Sequence, residues 1–193
     1  MLEANHGGAE VPCSLLFADV RGSTGLAERM SAREFSRLMG RFHDVAFAAL
    51  VEHDAFVDKF VGDEIIGIFV PAMAGTDHGR QAIAAALDVL GRLRAGQEAG
   101  VSIPVGIGVS TGVAYVGSVG DGPDTDLTAM GDLVNTTARL ASAAAAGEIL
   151  IAVSPETVDN LHGLERRTLA LKGKSVSTDV AVISLAPARE AAP

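Results

Sequence analysis

Residues Ala55 to Val70 read AFVDKFVGDEIIGIFV and contain the strongest local signal for secondary structure in the chain. Two runs rich in β-branched and aromatic residues, 55–61 and 64–70, flank the dipeptide Gly62-Asp63. A two-residue connection that contains glycine is typical of a β-hairpin. The segment therefore predicts two antiparallel strands with Asp63 at the turn between them.

Upstream of this hairpin, the sequence predicts a strand, a loop and a long helix. The apolar run 11–18 (VPCSLLFA) ends at Asp19 and predicts the strand, and the glycine-containing segment 20–25 predicts the loop. Ser31 is followed three residues later by Glu34, the pattern of a capping box, so the helix should begin there.

Downstream of the hairpin, hydrophobic periodicity predicts two further helices, at 77–95 and 132–144. Strands are expected at 103–111, 113–119, 148–153, 165–171 and 179–185. Hairpins outnumber simple strand–helix–strand units in this order. The pattern favours an α+β fold, with helices covering one face of a mainly antiparallel sheet.

Composition limits the classes of function. The chain has 193 residues, of which 48% are hydrophobic and 20% charged, and its net charge is −9. This size fits one domain, which we expect at 11–185 between an N-terminal tail, 1–10, and a C-terminal tail, 186–193. An acidic chain offers no broad basic surface, so we expect neither a nucleic-acid partner nor a membrane partner.

The single cysteine, Cys13, excludes an intramolecular disulfide and any zinc site built from several cysteines. The first ten residues lack the apolar core of a signal peptide, and charged residues interrupt every long apolar run. The expected location is therefore the cytoplasm.

Two carboxylates stand out because each adjoins a core strand. If the first strand pairs beside the hairpin, Asp19 and Asp63 meet at one end of the sheet. Two carboxylates with few other ligands suit hard divalent cations such as Mg²⁺ or Mn²⁺, which keep water and substrate oxygens in their shells. Taken singly, each residue could instead be an ordinary loop or turn aspartate.

Other polar residues admit two interpretations from the pattern alone. Lys59, inside a strand, is either a charged residue that protects a sheet edge or a ligand for a base or phosphate. Asn135 and Arg139 share a helix face, which is either plain solvent surface or a site that stabilises a transferring phosphoryl group. The Gly22-Ser23-Thr24 segment is either a connection or an anion-binding nest.

Three segments in this order resemble the catalytic domain of class III nucleotidyl cyclases. They are Leu16–Thr24 (LFADVRGST), Lys59–Asp63 (KFVGD) and Thr128–Leu140 (TAMGDLVNTTARL). The resemblance covers residues 11–185 and implies a ferredoxin-like α+β core with added C-terminal elements. It departs from many members at Ser23, where they carry Phe.

The resemblance implies roles for matching residues. Asp19, Asp63 and the Val20 carbonyl correspond to the ligands of two divalent cations, Mg²⁺ or Mn²⁺. Lys59 and Thr128 correspond to the base-reading positions, and this pair resembles the subgroup that includes the bicarbonate-responsive cyclases. The remaining matches are Asn135 for the ribose, Arg139 for the transition state, Lys172 for the terminal phosphates, and Gly22, Ser23 and Thr24 for substrate binding.

The function implied is an adenylate cyclase, which converts ATP to 3′,5′-cyclic AMP and pyrophosphate at sites shared between the two subunits of a homodimer. A guanylate cyclase is the first alternative, but it would carry an acidic residue at the position of Lys59. The second alternative is a catalytically silent nucleotide-binding or regulatory module, which would lack one of the catalytic residues.

Overall fold

The computed structural model of the chain describes residues 7–96, 102–119, 126–154, 157, 161–174 and 176–185. The strands are β1 (Gly8–Val20), β2 (Phe56–Val61), β3 (Glu64–Phe69), β4 (Val105–Val119), β5 (Asp126–Met130), β6 (Glu148–Ala152), β7 (Glu165–Leu169) and β8 (Thr178–Ser184). The helices are α1 (Ser23–Arg29), α2 (Ala32–Glu52), α3 (Pro71–Ala74), α4 (His78–Ala95) and α5 (Asp132–Ala143).

Within the described ranges, the strands form one eight-stranded sheet in the order β2-β3-β1-β4-β6-β8-β7, with β5 paired to β4. All the strand pairs are antiparallel except β4–β6, which is parallel. The expected α+β class with a mainly antiparallel sheet is confirmed. None of the helices in these ranges combines the length and the apolar composition that crossing a membrane requires.

β4 corrects one prediction, because the sequence suggested two strands, at 103–111 and 113–119. The structure instead has one continuous strand, and Gly112 pairs with Cys13 in the middle of the ladder. β1 pairs with β4 along its whole length, from Gly8↔Gly117 to Val20↔Val105. Because this ladder satisfies the backbone on both sides of Gly112, the glycine does not act as a turn.

Helices cover both faces of the sheet, not one face as the sequence suggested. α2 and α4 pack on the face that presents Leu16 and Ala18, where Phe42 and Leu50 are fully buried. The opposite face presents alternate β1 residues, Leu15 and Phe17 among them, and is covered by α5. Each large side chain buried in this way contributes about 1.5–3 kcal/mol to stability.

Helices α1 and α2 have different structures at their N-termini. At α2, Ser31 and Glu34 form the predicted capping box, in which each side chain accepts a hydrogen bond from the backbone N–H of the other residue. The segment expected to be a loop after Asp19 instead starts α1 at Ser23. Gly22 precedes this helix with a φ of 65°, a left-handed conformation that glycine adopts without strain.

α5 approaches the sheet closely because two positions of β4 are glycines. A Cβ atom on Gly108 would lie 2.4 Å from the backbone nitrogen of Ala141 and 2.5 Å from the carbonyl oxygen of Thr137. A Cβ atom on Gly106 would lie 2.7 Å from the carbonyl oxygen of Ala144. The glycines therefore set the position of α5, and with it the position of every side chain on that helix.

We expect Gly108→Ala to lower the free energy of unfolding by about 1–3 kcal/mol, because the new methyl group overlaps the α5 backbone. Urea denaturation followed by circular dichroism measures this change. The matched control is Gly91→Ala in α4, where a Cβ atom meets no neighbouring atom within 4 Å. That variant should gain up to about 1 kcal/mol from helix propensity. If Gly108→Ala and the parent unfold at the same urea concentration, the close packing of α5 on β4 is contradicted.

Candidate active site

The two predicted metal ligands lie together at one end of the sheet. Asp19 is the penultimate residue of β1 and pairs with Glu64 of β3. Asp63 occupies the β2–β3 turn, and its carbonyl oxygen accepts a hydrogen bond of 3.0 Å from the backbone N–H of Val20. The pairing of β1 with β3 thus brings together the residues that the sequence singled out.

Both aspartates are held by side chains of the segment that follows β1. Arg21 donates from Nη2 to the Asp19 carboxylate and from Nη1 to the carbonyl oxygen of Ser142, at 2.8 Å, in α5. The hydroxyl of Ser23 donates to the Asp63 carboxylate. The carboxylates are therefore oriented by neighbouring donors, and Arg21 also links this end of the sheet to α5.

A third carboxylate, Glu64, lies in the same cluster. Burial raises the pKa of the Glu64 carboxyl, and the negative charge of Asp63 raises it further, while Arg21 acts in the opposite direction. Burial also lowers the pKa of the Arg21 guanidinium, although Asp63 and Glu64 favour its charged form. The cluster thus contains three partly buried carboxyl groups, of Asp19, Asp63 and Glu64, and one guanidinium, of Arg21.

The donor atoms at this end of the sheet fit a hard divalent cation. Asp19 and Asp63 would supply carboxylate oxygens, and Val20, next to Asp19, is predicted to add its backbone carbonyl. Such a set leaves coordination positions for water or for substrate oxygens, as Mg²⁺ sites usually do. Among the described residues, no group of three or more His, Cys, Asp or Glu side chains forms a closed metal cage. The chemistry of the donors therefore fits metal ions that the substrate also binds.

A cavity of about 230 Å³ lies on the face of the sheet that α5 covers. Its lining residues come from five elements and are mostly apolar: Leu15, Phe17, Asp58, Ile66, Thr128, Ala129 and Val134. The hydroxyl of Thr128, on β5, donates a hydrogen bond of 2.7 Å to Oδ2 of Asp58, on β2. Apolar walls with a few fixed polar groups are typical of a small-molecule site.

Lys59, the other predicted base-reading residue, lies on β2 at an irregularity. The register between β2 and β3 shifts between Val57 and Phe60, so that Asp58 and Lys59 both lie opposite Ile66. This arrangement is a β-bulge, which bends a strand and re-aims its side chains. The side chain of Lys59 is outside the described part of the structure, so its role stays a prediction.

The helix residues predicted to act on ribose and phosphate both lie on α5. Asn135 is exposed in the first half of the helix, and Arg139 follows one turn later and is half-buried. Helical spacing puts positions i and i+4 on the same face, as the sequence predicted. Gly131, with a φ of 130°, connects β5 directly to this helix.

Arg139 and Lys172 are neighbours in the structure although they are far apart in the sequence. A Cβ atom on Gly173, the residue after Lys172, would lie 3.1 Å from Nη2 of Arg139, so the guanidinium packs against this turn. A salt bridge from Lys174 to Asp132, the first residue of α5, joins this turn to the helix. Lys172 itself is exposed. The turn therefore adds cationic side chains beside the α5 face.

Three residues of these clusters were not predicted as site residues from the sequence: Arg21, Glu64 and Asp58. Arg21 lies within the LFADVRGST segment, so proximity in sequence was a usable signal. Glu64 opposes Asp19 only through the strand register. Asp58 reaches the cavity from the β2 bulge, which leaves no clear mark in the sequence.

The comparison with protein families agrees with this geometry. The model of the adenylate and guanylate cyclase catalytic domain matches residues 9–182. This chain belongs to that family. The resemblance seen in the three sequence segments is thereby confirmed, whereas the Lys/Thr subgroup stays a prediction.

Known relatives of this cyclase domain include enzymes with both base specificities. An adenylate cyclase of Anabaena cylindrica is 31% identical over 169 residues, which make up 84% of this chain and 33% of that protein. The chain thus spans about one third of the length of this curated relative. Neither the sequence match nor the fold alone identifies the base.

Two solved structures similar to this chain come from cyclases that are named for different bases. The guanylyl cyclase Cya2 has a TM-score of 0.81 and 26% identity, with coverage of 91% of this chain and 93% of that chain. The adenylyl cyclase CyaB from P. aeruginosa has a TM-score of 0.79 and 26% identity, with coverage of 92% and 96%. The fold of this cyclase domain therefore occurs with either substrate among these structures.

We expect Glu64→Gln to raise the melting temperature of this cyclase domain at about pH 8 in the absence of divalent cations. The raised pKa means that the folded state holds the Glu64 proton at a pH where the unfolded chain has lost it. Stability therefore falls as pH rises through that window, and the loss is complete above it. The gain from glutamine should disappear at a pH below the ordinary glutamate value, which is about 4.3.

Thermal denaturation in EDTA at several pH values measures this difference. Glu28→Gln, an exposed residue of α1, is the control for loss of one negative charge. A gain that is the same at all pH values, or the same in both variants, would contradict the assignment of the effect to the buried Glu64 carboxyl.

Proposed function

We propose that this chain is an adenylate cyclase domain that converts ATP to 3′,5′-cyclic AMP and pyrophosphate. The observation that carries the proposal is the packing of the Arg139 guanidinium against Gly173, the residue after Lys172. This packing supports a joint role for Arg139 in the transition state and Lys172 in phosphate binding. Family membership supports nucleotide cyclisation. Lys59 and Thr128 support adenine as the base.

In this reaction the ribose 3′-hydroxyl gives up its proton to solvent and its oxygen bonds to the α-phosphorus. The bond from that phosphorus to the oxygen that bridges to the β-phosphate breaks, so pyrophosphate leaves with that oxygen. Arg139 stabilises the charge that develops on the α-phosphate, and Lys172 binds the terminal phosphates of the leaving pyrophosphate. Asn135 orients the ribose. The backbone N–H groups of Gly22, Ser23 and Thr24 and the Thr24 hydroxyl bind the triphosphate at the start of α1, while the Ser23 hydroxyl donates to Asp63.

Asp19, Asp63 and the carbonyl of Val20 would hold two divalent cations, Mg²⁺ or Mn²⁺, in this proposal. When bound, these cations would lower the pKa of the 3′-hydroxyl and neutralise charge on the triphosphate. Arg21 donates to the Asp19 carboxylate and Ser23 to the Asp63 carboxylate, so each carboxylate has one neighbouring donor that restricts its orientation. The chain's net charge of −9 does not oppose ATP binding, because the cations and the α5 side chains act locally.

The alternatives are less consistent with the residues present. A guanylate cyclase would need a hydrogen-bond acceptor for the guanine ring nitrogen and amino group, and Lys59 offers only donors. A silent regulatory module would lack a metal ligand or a transition-state residue. Here Asp19, Asp63, Asn135 and Arg139 are all present.

We also propose that the chain forms a homodimer in which each active site combines Asp19 and Asp63 of one subunit with the nucleotide-binding residues of the other. Exposed apolar side chains occur on β4 and β5: Val113, 60% exposed, and Met130, 44% exposed, lie on one face of the ladder, and Leu127, 43% exposed, lies on the other. Exposed apolar side chains next to a site are compatible with a protein interface there. A two-fold axis would then produce two equivalent sites.

The parent protein should convert ATP to cyclic AMP with Mg²⁺ or Mn²⁺, and should convert GTP much more slowly. Asp63→Asn keeps the side-chain shape but removes a metal-binding charge, so we expect at least a roughly 100-fold loss of activity. Mass spectrometry of the cyclic products measures both effects. Asp44→Asn, an exposed residue of α2, is the matched control and should keep parent activity. Near-parent turnover by Asp63→Asn would remove Asp63 from the metal site.

Mixing two inactive variants tests the shared site. Asp19→Ala and Arg139→Ala should each be inactive alone, whereas a mixed dimer has both lesions in one site and an intact second site. Random exchange makes about half the dimers mixed, each with one working site, so roughly a quarter of parent activity should return if the sites act independently. Subunit exchange is verified by pull-down of differently tagged chains. No recovery despite verified exchange would favour a site built within one chain.

A further inference from the structure

The hydrogen bond between Thr128 and Asp58 has a consequence for the choice of base. The Thr128 hydroxyl donates to Oδ2 of Asp58 at 2.7 Å, and both residues line the 230 Å³ cavity. Asp58 reaches this cavity from the β2 bulge, opposite Ile66, which lines the same cavity. The contact joins two strands, β2 and β5, that are not neighbours in the sheet.

An ionised carboxylate can only accept hydrogen bonds, whereas a threonine hydroxyl has one proton to donate and two lone pairs that accept. Because Thr128 gives its proton to Asp58, the hydroxyl can offer only lone pairs to a ligand in the cavity. Adenine presents an amino group that donates at its six position, and guanine presents a carbonyl oxygen that accepts there. The oriented hydroxyl therefore matches adenine and faces the guanine oxygen with a second acceptor.

We propose that Asp58 is a specificity-determining positioning residue, which fixes the Thr128 hydroxyl as an acceptor so that the cavity selects adenine over guanine. This inference rests on the proposed adenylate cyclase activity and adds a residue to it. Asp58 acts through Thr128 and does not itself contact the reacting atoms. A purely structural tie between β2 and β5 would affect ATP and GTP equally, so the ratio between the two substrates distinguishes the roles.

Asp58→Asn is the informative variant, because it keeps the shape of the side chain. The amide can turn its NH₂ group toward Thr128, which releases the hydroxyl proton for donation to a guanine oxygen. We expect the ratio of kcat/KM for ATP to that for GTP to fall by about tenfold, the effect of one charge-assisted hydrogen bond at the low end of its range. Displacement of a fluorescent ATP analogue by ATP and by GTP should show the same direction of change in the ratio of Kd values.

Two controls isolate the mechanism. Asp54→Asn removes the same charge from an exposed residue just before β2, and asparagine tolerates its left-handed φ of 59°. This variant should keep the parent ratio. In a Thr128→Val background, which lacks the hydroxyl, Asp58→Asn should cause no further change in the ratio. Both ratios come from one preparation, so a lower fraction of folded protein does not alter them.

The outcomes separate this inference from the proposed function. If the parent prefers ATP and Asp58→Asn keeps the same ratio, the role of Asp58 is overturned while the adenylate cyclase proposal stands. An equal change in Asp54→Asn, or a change that persists without the Thr128 hydroxyl, also overturns it. A parent that does not prefer ATP in either assay overturns the proposed substrate and this inference together.

Discussion

The pairing of β1 with two partners is the constraint on which the rest of the structure depends. β1 pairs with β4 from Gly8 to Val20, and its second half pairs with β3. This double ladder fixes where Asp19 lies relative to the β2–β3 turn and therefore relative to Asp63. A shift of one residue would move every β1 side chain to the other face of the sheet and would separate the carboxylates. The buried alternation of Leu15 and Leu16 on opposite faces makes such a shift costly.

The second constraint is the close approach of α5 to β4, which gives the helix residues their places. Gly108 allows the helix backbone to touch the sheet, so Arg139 is held on a rigid element and does not lie on a loop. The Lys172–Lys174 turn then packs on that helix through Gly173 and the Lys174–Asp132 salt bridge. A site on packed elements holds its charges more precisely than a site on loops, since fewer conformations compete.

Local patterns in the sequence predicted much of this fold, and non-local contacts account for the differences. The capping box at Ser31 and the β2–β3 hairpin depend on neighbouring residues, and both are present as expected. The sequence predicts separate strands at 103–111 and 113–119, but the long ladder with β1 holds Gly112 within one unbroken strand.

In the candidate site, too, contacts that depend on few elements could be predicted from the sequence, and contacts that depend on several could not. The meeting of Asp19 with Asp63 could be predicted, because it needs only two strand ends and one pairing. The contribution of Asp58 could not, because a register shift in β2 and the distant Thr128 must act together. Likewise, the burial that raises the pKa of Glu64 exists only after β3 has paired with β1. The contact of Asp58 and the burial of Glu64 both depend on tertiary structure and not on local sequence pattern. Departures from local pattern are expected at functional sites, and these two residues lie close to the proposed chemistry. The proposed binding of a polyanionic substrate is compatible with an acidic chain, because the fold separates the carboxylates at the end of β1 from the cationic side chains beside α5. A substrate responds to these local fields more than to the net charge.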